Sequence, residues 1–114
     1  MEGIALHTLL NKVLLDDKEE DLGEFLSQFK FSHCLVVGDG YSIELLYSNK
    51  HMLVYYYHRQ RKEAYISILG IVDWKIEMMR FLARIYQIYR IDVFELEERI
   101  LNEVEQVYNE QELI

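Results

Sequence analysis

The chain has 114 residues, no proline and a formal net charge of −8, and 51% of its residues are hydrophobic. A chain of this size and composition is expected to form one domain that buries about two thirds of its unfolded surface. No segment approaches the ~20 apolar residues that span a bilayer, and the N-terminus lacks the basic start of a secretory signal. We therefore expect an intracellular, cytoplasmic protein that makes no membrane contact.

The charged residues are arranged in three blocks of alternating sign. Residues 1–44 contain 3 Lys or Arg and 9 Asp or Glu, residues 45–91 contain 8 and 3, and residues 92–114 contain 1 and 8. Charge bears on partners and solubility rather than on fold, so this pattern indicates a binding protein without identifying what is bound. Alternatively the blocks neutralise one another inside the fold, through pairs between Arg80, Arg84 or Arg90 and Glu97, Glu98 or the acidic N-terminal helices.

Apolar residues at helical spacing predict two helices in the N-terminal part, over residues 4–15 and 18–29. Asp17 and Glu20 have the spacing of a capping box, which favours a helix start at this point. After residue 30 the period changes to two. This change predicts four strands, over residues 31–37, 41–48, 51–58 and 64–69.

The short connections between these strands force neighbours to pair, which predicts an antiparallel meander. A two-residue turn at Asn49-Lys50 pairs Leu45 with Val54 on one face of the sheet. The face of the fourth strand depends on the loop before it. An odd-length loop adds Ala64, Ile66 and Ile68 to the face of Leu45, whereas an even-length loop adds Tyr65 and Ser67; we expect the odd length.

Two helices complete the chain. The first, over residues 74–90, is apolar around much of its circumference and so needs cover on more than one side. Asp92 and Glu95 form a second capping box, which starts a helix over residues 93–111. The apolar stripe from Leu96 to Tyr108 is a candidate surface for a homodimer. The predicted fold is a single α+β domain, residues 1–114, in which a four-stranded antiparallel β-meander is flanked by two N-terminal and two C-terminal helices.

Residues that commonly bind metals or catalyse reactions occur without the usual spacings. No metal-ligand pattern connects the following side chains: His7, His33, His51, His58 and Cys34. Cys34 has apolar neighbours and is expected in the core. Gly38-Asp39-Gly40 lacks the helix that follows a phosphate-binding loop, so a hairpin turn is favoured. We predict no metal, no cofactor and no enzymatic activity.

One triplet, Asp73-Trp74-Lys75, matches half of a metal-dependent nuclease site. It would need an upstream carboxylate such as Asp39, Glu44 or Glu63 to complete a Mg²⁺ site. Asp73 also lies where the following helix needs an N-cap, and we favour that role.

Tyrosine and arginine are concentrated in the predicted hairpin around residues 55–62. Tyr55, Tyr57, Arg59, Arg61 and Lys62 would form a surface of the kind that is enriched at protein interfaces. The same surface is also typical of proteins that stack single-stranded nucleic acid. The net charge of −8 argues against nucleic acid, because phosphate binding relies on a basic surface.

A second predicted surface is acidic and consists of Asp16, Asp17, Glu19, Glu20, Glu97 and Glu98. Clustered carboxylates of this kind could dock on a basic protein and speed association. The leading hypothesis is a small acidic binding protein that masks or inhibits a protein partner. Small size, acidity and an α+β layout are loosely similar to those of phage- or virus-type inhibitors and immunity proteins. The alternatives are a nucleic-acid-binding accessory protein and a small metal-dependent nuclease.

Overall fold

The computed structural model describes residues 29–48 and 51–110, and the structural statements below concern these residues. The chain forms four strands: β1 (Phe31–Val37), β2 (Tyr41–Ser48), β3 (His51–His58) and β4 (Glu63–Leu69). They pair as one antiparallel sheet in the order β1-β2-β3-β4. Helix α1 (Trp74–Tyr89), a 3₁₀ turn (Phe94–Leu96) and helix α2 (Glu97–Glu110) follow.

The predicted α+β fold with a four-stranded antiparallel sheet is confirmed, as are two helices after the sheet. The helices predicted over residues 4–15 and 18–29, with the capping box at Asp17 and Glu20, lie outside the described residues except for Phe29. The organisation as one domain stays a prediction.

The β2–β3 pair has the predicted register. Leu45 lies opposite Val54 and Ile43 opposite Tyr56, as a two-residue turn requires. All four side chains are fully buried. Core packing therefore stabilises this register, because a slip of one residue would move the side chains of one strand to the other face.

The predicted face of β4 is wrong. His58 pairs with Glu63, so the loop spans residues 59–62 and has an even length. Lys62 closes this loop in a left-handed conformation, with φ at 57°. Tyr65 therefore joins the face of Ile43, and the opposite face receives Ala64, Ile66 and Ile68.

Each face of the sheet carries its own apolar cluster. The larger cluster fills the space between the sheet and the two helices, and it includes Val54, Tyr56, Phe81, Ile85 and Val104. On the opposite face a smaller cluster contains Leu46, Leu53, Ala64 and Ile66, with Phe29 packed against it. Leu53 in this smaller cluster is only 1% exposed.

Strand β1 contains a bulge at Leu35, since Cys34 pairs with Glu44 and Val36 with Ile43 while Leu35 has no opposite residue. The bulge buries Leu35 and Val36 side by side. Cys34 is exposed, contrary to the predicted core position. Cys34 lies opposite Glu44 on β1, which is an edge strand of the sheet. Partial burial and the Glu44 charge raise the pKa of the Cys34 thiol, so it stays protonated at neutral pH.

The two predicted helix caps differ from expectation. Asp73 occupies the N-cap position of α1, as predicted, but its side chain makes no capping hydrogen bond. Glu77, one turn into the helix, instead accepts a hydrogen bond from the Gly70 backbone N–H at 2.6 Å. Asp92 does accept one from the Phe94 N–H at 3.2 Å. The turn after it is 3₁₀, which delays the start of α2 to Glu97. Within the described part of the chain, neither helix has the length and apolar character to cross a membrane.

Helix α2 uses its apolar stripe inside the fold. Ile100, Val104, Val107 and Tyr108 are all buried in the larger cluster. Tyr108 stacks on Trp74 with ring centroids 5.3 Å apart. The stripe proposed for a dimer contact is therefore occupied by the chain's own residues, and the dimer itself stays a prediction.

Candidate partner-binding surfaces

Helix α1 exposes large apolar side chains on the side that faces away from the sheet. Ile76 is 52% exposed, Met79 is 47% exposed and Tyr86 is 38% exposed. Ala83 lies among them and is partly buried. Phe94, in the 3₁₀ turn, extends the row because its ring centroid lies 5.4 Å from that of Tyr86. We refer to Ile76, Met79, Ala83, Tyr86 and Phe94 as the outer seam.

The spacing of the outer seam follows from the sequence. Ile76, Met79, Ala83 and Tyr86 succeed one another at intervals of three, four and three residues. This alternation places apolar residues in one row along a helix, as in the a and d positions of a coiled coil. The core-facing residues Met78, Phe81, Leu82 and Ile85 form the opposite row and are buried. Helix α1 is thus apolar on two opposite sides, and only one of them faces the larger cluster.

Basic side chains border the outer seam. Lys75 and Arg80 are exposed beside it, and Arg84 is exposed further round the helix. Arg90 ends the helix in a left-handed conformation, with φ at 61°, and its guanidinium lies 5.8 Å from the centroid of the Tyr86 ring. In residues 29–48 and 51–110 none of these four cations has a carboxylate within ion-pair distance. The predicted pairs between Arg80, Arg84 or Arg90 and α2 are therefore not formed, and the predicted pairs with the acidic N-terminal helices lie outside the described residues.

The tip of the β3–β4 hairpin carries the predicted basic residues. Arg59, Arg61 and Lys62 are all exposed. Arg61 lies 3.9 Å from the carboxylate of Glu63, which also accepts a hydrogen bond from the Tyr56 hydroxyl at 2.9 Å. Arg61 is thus partly neutralised by its own hairpin.

Tyr55 and Tyr57 lie on the face of the smaller cluster and are half-buried against it. Burial raises the pKa of Tyr55, and the charge and hydrogen bond of Glu44 raise it further. A carboxylate at this position repels phosphate, which weakens the case for nucleic-acid stacking here. The role of the hairpin residues in partner binding stays a prediction.

Of the predicted acidic residues, Asp16, Asp17, Glu19 and Glu20 lie outside the described residues. Glu97 and Glu98 form the first turn of α2, where their negative charge favours the positive end of the helix. Glu98 is exposed and Glu97 is half-buried. These positions explain both carboxylates as helix-stabilising groups, and binding by them stays a prediction.

The outer side of α2 has a shallow groove of about 420 Å³, lined by Glu95, Glu98, Arg99, Asn102, Glu103 and Gln106. Glu103 accepts a hydrogen bond from His33 Nε2 at 2.9 Å and pairs with Arg99 at 3.2 Å. Arg99 also donates to the carbonyl oxygen of Leu35 at 2.7 Å. These polar groups satisfy one another and join α2 to β1, which indicates a structural role.

Within the described part of the chain, no three His, Cys, Asp or Glu side chains come together as a metal site would require. Asp73 of the nuclease triplet is exposed at the start of α1, and Lys75 lies over the Trp74 ring at 5.6 Å. Glu63, one of its possible partners, is hydrogen-bonded to Tyr56. The nuclease hypothesis stays a prediction.

Sequence reasoning did not select the outer seam as a binding surface. The signal was present, because the helix over residues 74–90 was expected to need cover on more than one side. The three-four spacing of its second apolar row would have located the surface.

No family model, no curated protein and no solved structure matches the chain.

Proposed function

We propose that this protein is a small, non-catalytic binding protein that masks or inhibits a protein partner. The observation that supports it best is the outer seam, where three large apolar side chains of one helix are exposed in a single row. Exposed apolar surface that is arranged as a continuous patch is typical of a site for another macromolecule. Isolated exposed apolar residues would need no such explanation.

A partner that covers the outer seam removes its apolar side chains from water. Each Å² of apolar surface that leaves water contributes about 25 cal/mol of transfer free energy, and the loss of translational and side-chain freedom on association offsets part of it. Tyr86 and Met79 are suited to this role, because both offer large contact area and Met adapts to an irregular partner surface. A row of this kind on a helix fits the mode in which a helix packs against a complementary apolar surface.

An intracellular location and a role like that of phage inhibitors or immunity proteins belong to this proposal. Their support is the small size and the net charge of −8. High net charge keeps a protein soluble while it carries an exposed apolar patch.

The proposal is tested by affinity capture from a lysate of the source cells, with nuclease added to remove nucleic acid. The bait is the wild-type chain, a Met79→Glu variant that places a charge in the outer seam, or a Gln106→Glu variant that places one on the exposed side of α2. We expect one protein to be retained by the wild type and by Gln106→Glu and lost with Met79→Glu. Retention of the same proteins by all three baits would refute the proposal.

A further inference from the structure

We infer that the outer seam binds a single acidic amphipathic helix of its partner. The inference rests on the proposed function and adds the chemistry of the partner. It follows from the shape of the exposed row, from the charges beside it and from the poor match that a second copy would make.

The shape of the row favours a helix. Helix α1 has 16 residues, and its apolar positions alternate at intervals of three and four. Such a helix is about 24 Å long, and a row of this spacing is typical of helices that pack lengthwise against another helix with a similar row. Phe94 closes the C-terminal end of the row by packing against Tyr86.

The charges beside the row favour an acidic occupant. Lys75 and Arg80 occupy the two flanks of Ile76 and Met79, at positions that correspond to g and e of a heptad. Arg90 lies at the end of the row, against Tyr86. In the described residues none of the three has a carboxylate partner. Carboxylates at the flanking positions of a bound helix would meet these cations.

The same charges argue against a second copy of α1. In a parallel pair of helices g positions face e positions, and in an antiparallel pair e faces e and g faces g. Self-pairing through the outer seam therefore brings Lys75 near Arg80, or Arg80 near its own counterpart. Like charges at these positions are unfavourable and are a known means of excluding wrong partners.

The carboxylate of Glu77 does not alter this balance. It is the acidic residue of the first turn of α1, and it is half-buried and hydrogen-bonded to the Gly70 backbone N–H. One row on one helix is a small contact, and interfaces below about 1,200 Å² belong to weak or transient complexes. The expected complex is thus reversible and sensitive to salt.

The test uses two labelled peptides of about three heptads that share Leu at a and d and carry either Glu or Lys at e and g. Binding to the wild-type chain is measured by fluorescence anisotropy. We expect the Glu peptide to bind at least about tenfold more tightly than the Lys peptide at low salt, with the difference shrinking as salt is added. A double variant, Lys75→Glu with Arg80→Glu, should reverse the preference, and Arg59→Glu at the tip of the β3–β4 hairpin, outside the outer seam, should leave it unchanged.

The inference is overturned if neither peptide binds, if both bind equally, or if the double variant keeps the preference of the wild type. Sedimentation equilibrium adds a further outcome. If the wild type dimerises and Met79→Glu is monomeric, the occupant of the seam is a second copy and the inference fails. The proposed function is refuted by a different result, namely that the captured protein is retained equally by the wild type and by Met79→Glu. If the captured protein is lost with Met79→Glu but retained by the double variant, the proposed function remains and the inference of an acidic partner is overturned.

Discussion

Arg99 on α2 donates a hydrogen bond to the backbone carbonyl oxygen of Leu35 on β1, over 2.7 Å. Leu35 is the bulged residue of its strand and has no opposite residue on β2. Arg99 is also the one basic residue in the C-terminal acidic block. The chain thus uses its cation in that block for folding, whereas the cations of α1 border an exposed apolar row.

Replacing Arg99 by Met should lower the free energy of unfolding by about 1 kcal/mol, because the Leu35 carbonyl loses its donor and the half-exposed arginine contributes little more. The matched control is Arg84→Met, at an exposed position without an ion pair in the described residues. Urea unfolding followed by circular dichroism measures both. Equal midpoints for the two variants would show that the Arg99 contact does not stabilise the fold.

The adjacent residues Met78 and Met79 test the orientation of α1. Met78 is 0% exposed, so Met78→Ala should cost about 2 to 5 kcal/mol through the cavity that it leaves. Met79 is exposed, and Met79→Ala should change stability by no more than about 0.5 kcal/mol. The two variants have identical chemistry, so the difference between their urea midpoints reports burial alone. A large loss from Met79→Ala would mean that the outer seam is covered.

The buried tyrosines should make the fold sensitive to alkali. Burial raises the pKa of Tyr55, Tyr56 and Tyr108 above their ordinary value. Glu44, Glu63 and Glu77 add to the shifts through their negative charge. The folded state then holds these protons more tightly than the unfolded chain, whose tyrosines titrate near pH ~10. Stability from this source is complete below about pH 10 and falls as the pH rises further.

A Tyr108→Phe variant checks this expectation. It removes one titrating group together with the hydrogen bond that Tyr108 donates to the Gly70 carbonyl at 3.0 Å. We expect it to be less stable than the wild type near neutral pH by about 1 kcal/mol, and to lose stability less steeply in alkali. Urea midpoints across the alkaline range give both quantities. A slope equal to that of the wild type would contradict the link between this phenol and alkaline unfolding.

Replacing Arg90 by Gly distinguishes the effect of this residue on stability from its effect on peptide binding. Arg90 has a left-handed conformation, which costs a residue other than glycine roughly 1 kcal/mol. The contact between its guanidinium and the Tyr86 ring offsets part of that cost. Arg90→Gly should therefore leave the urea midpoint unchanged or raise it slightly. It should also weaken binding of the acidic peptide, because a cation beside the outer seam is lost. Tighter peptide binding by Arg90→Gly, or a stability loss above about 1 kcal/mol, would contradict this assignment.

Sequence patterns predicted the sheet well where the sequence revealed the length of the turn between two strands. In β2 and β3, the two-residue turn fixed the pairing of Leu45 with Val54, and burial of both confirms it. In β4 both alternate sets are apolar, since Ala64 and Ile66 compete with Tyr65 and Leu69. Only the parity of the loop distinguishes them, and the pattern of hydrophobic residues does not reveal it.

For a related reason, the sequence did not predict the bulge at Leu35 or the exposure of Cys34. A run of apolar residues in a strand does not reveal where one extra residue is inserted. The candidate surface was only half predicted. Helical spacing showed that α1 is apolar on more than one side, but which side faces the sheet depends on how α2 packs. The contact between Trp74 and Tyr108 is long-range and leaves no local signature.

The most direct test of the central claim is site-specific photocrosslinking in the source cells. A photoreactive phenylalanine analogue replaces Met79 in the outer seam, Gln106 on the outer side of α2, or Arg59 on the hairpin tip. All three positions are exposed, so none of the replacements should disturb the fold. We expect a covalent adduct with one partner protein from position 79 and none from position 106 or 59. An adduct from position 59 or 106, with none from position 79, would contradict the assignment of the outer seam as the binding surface.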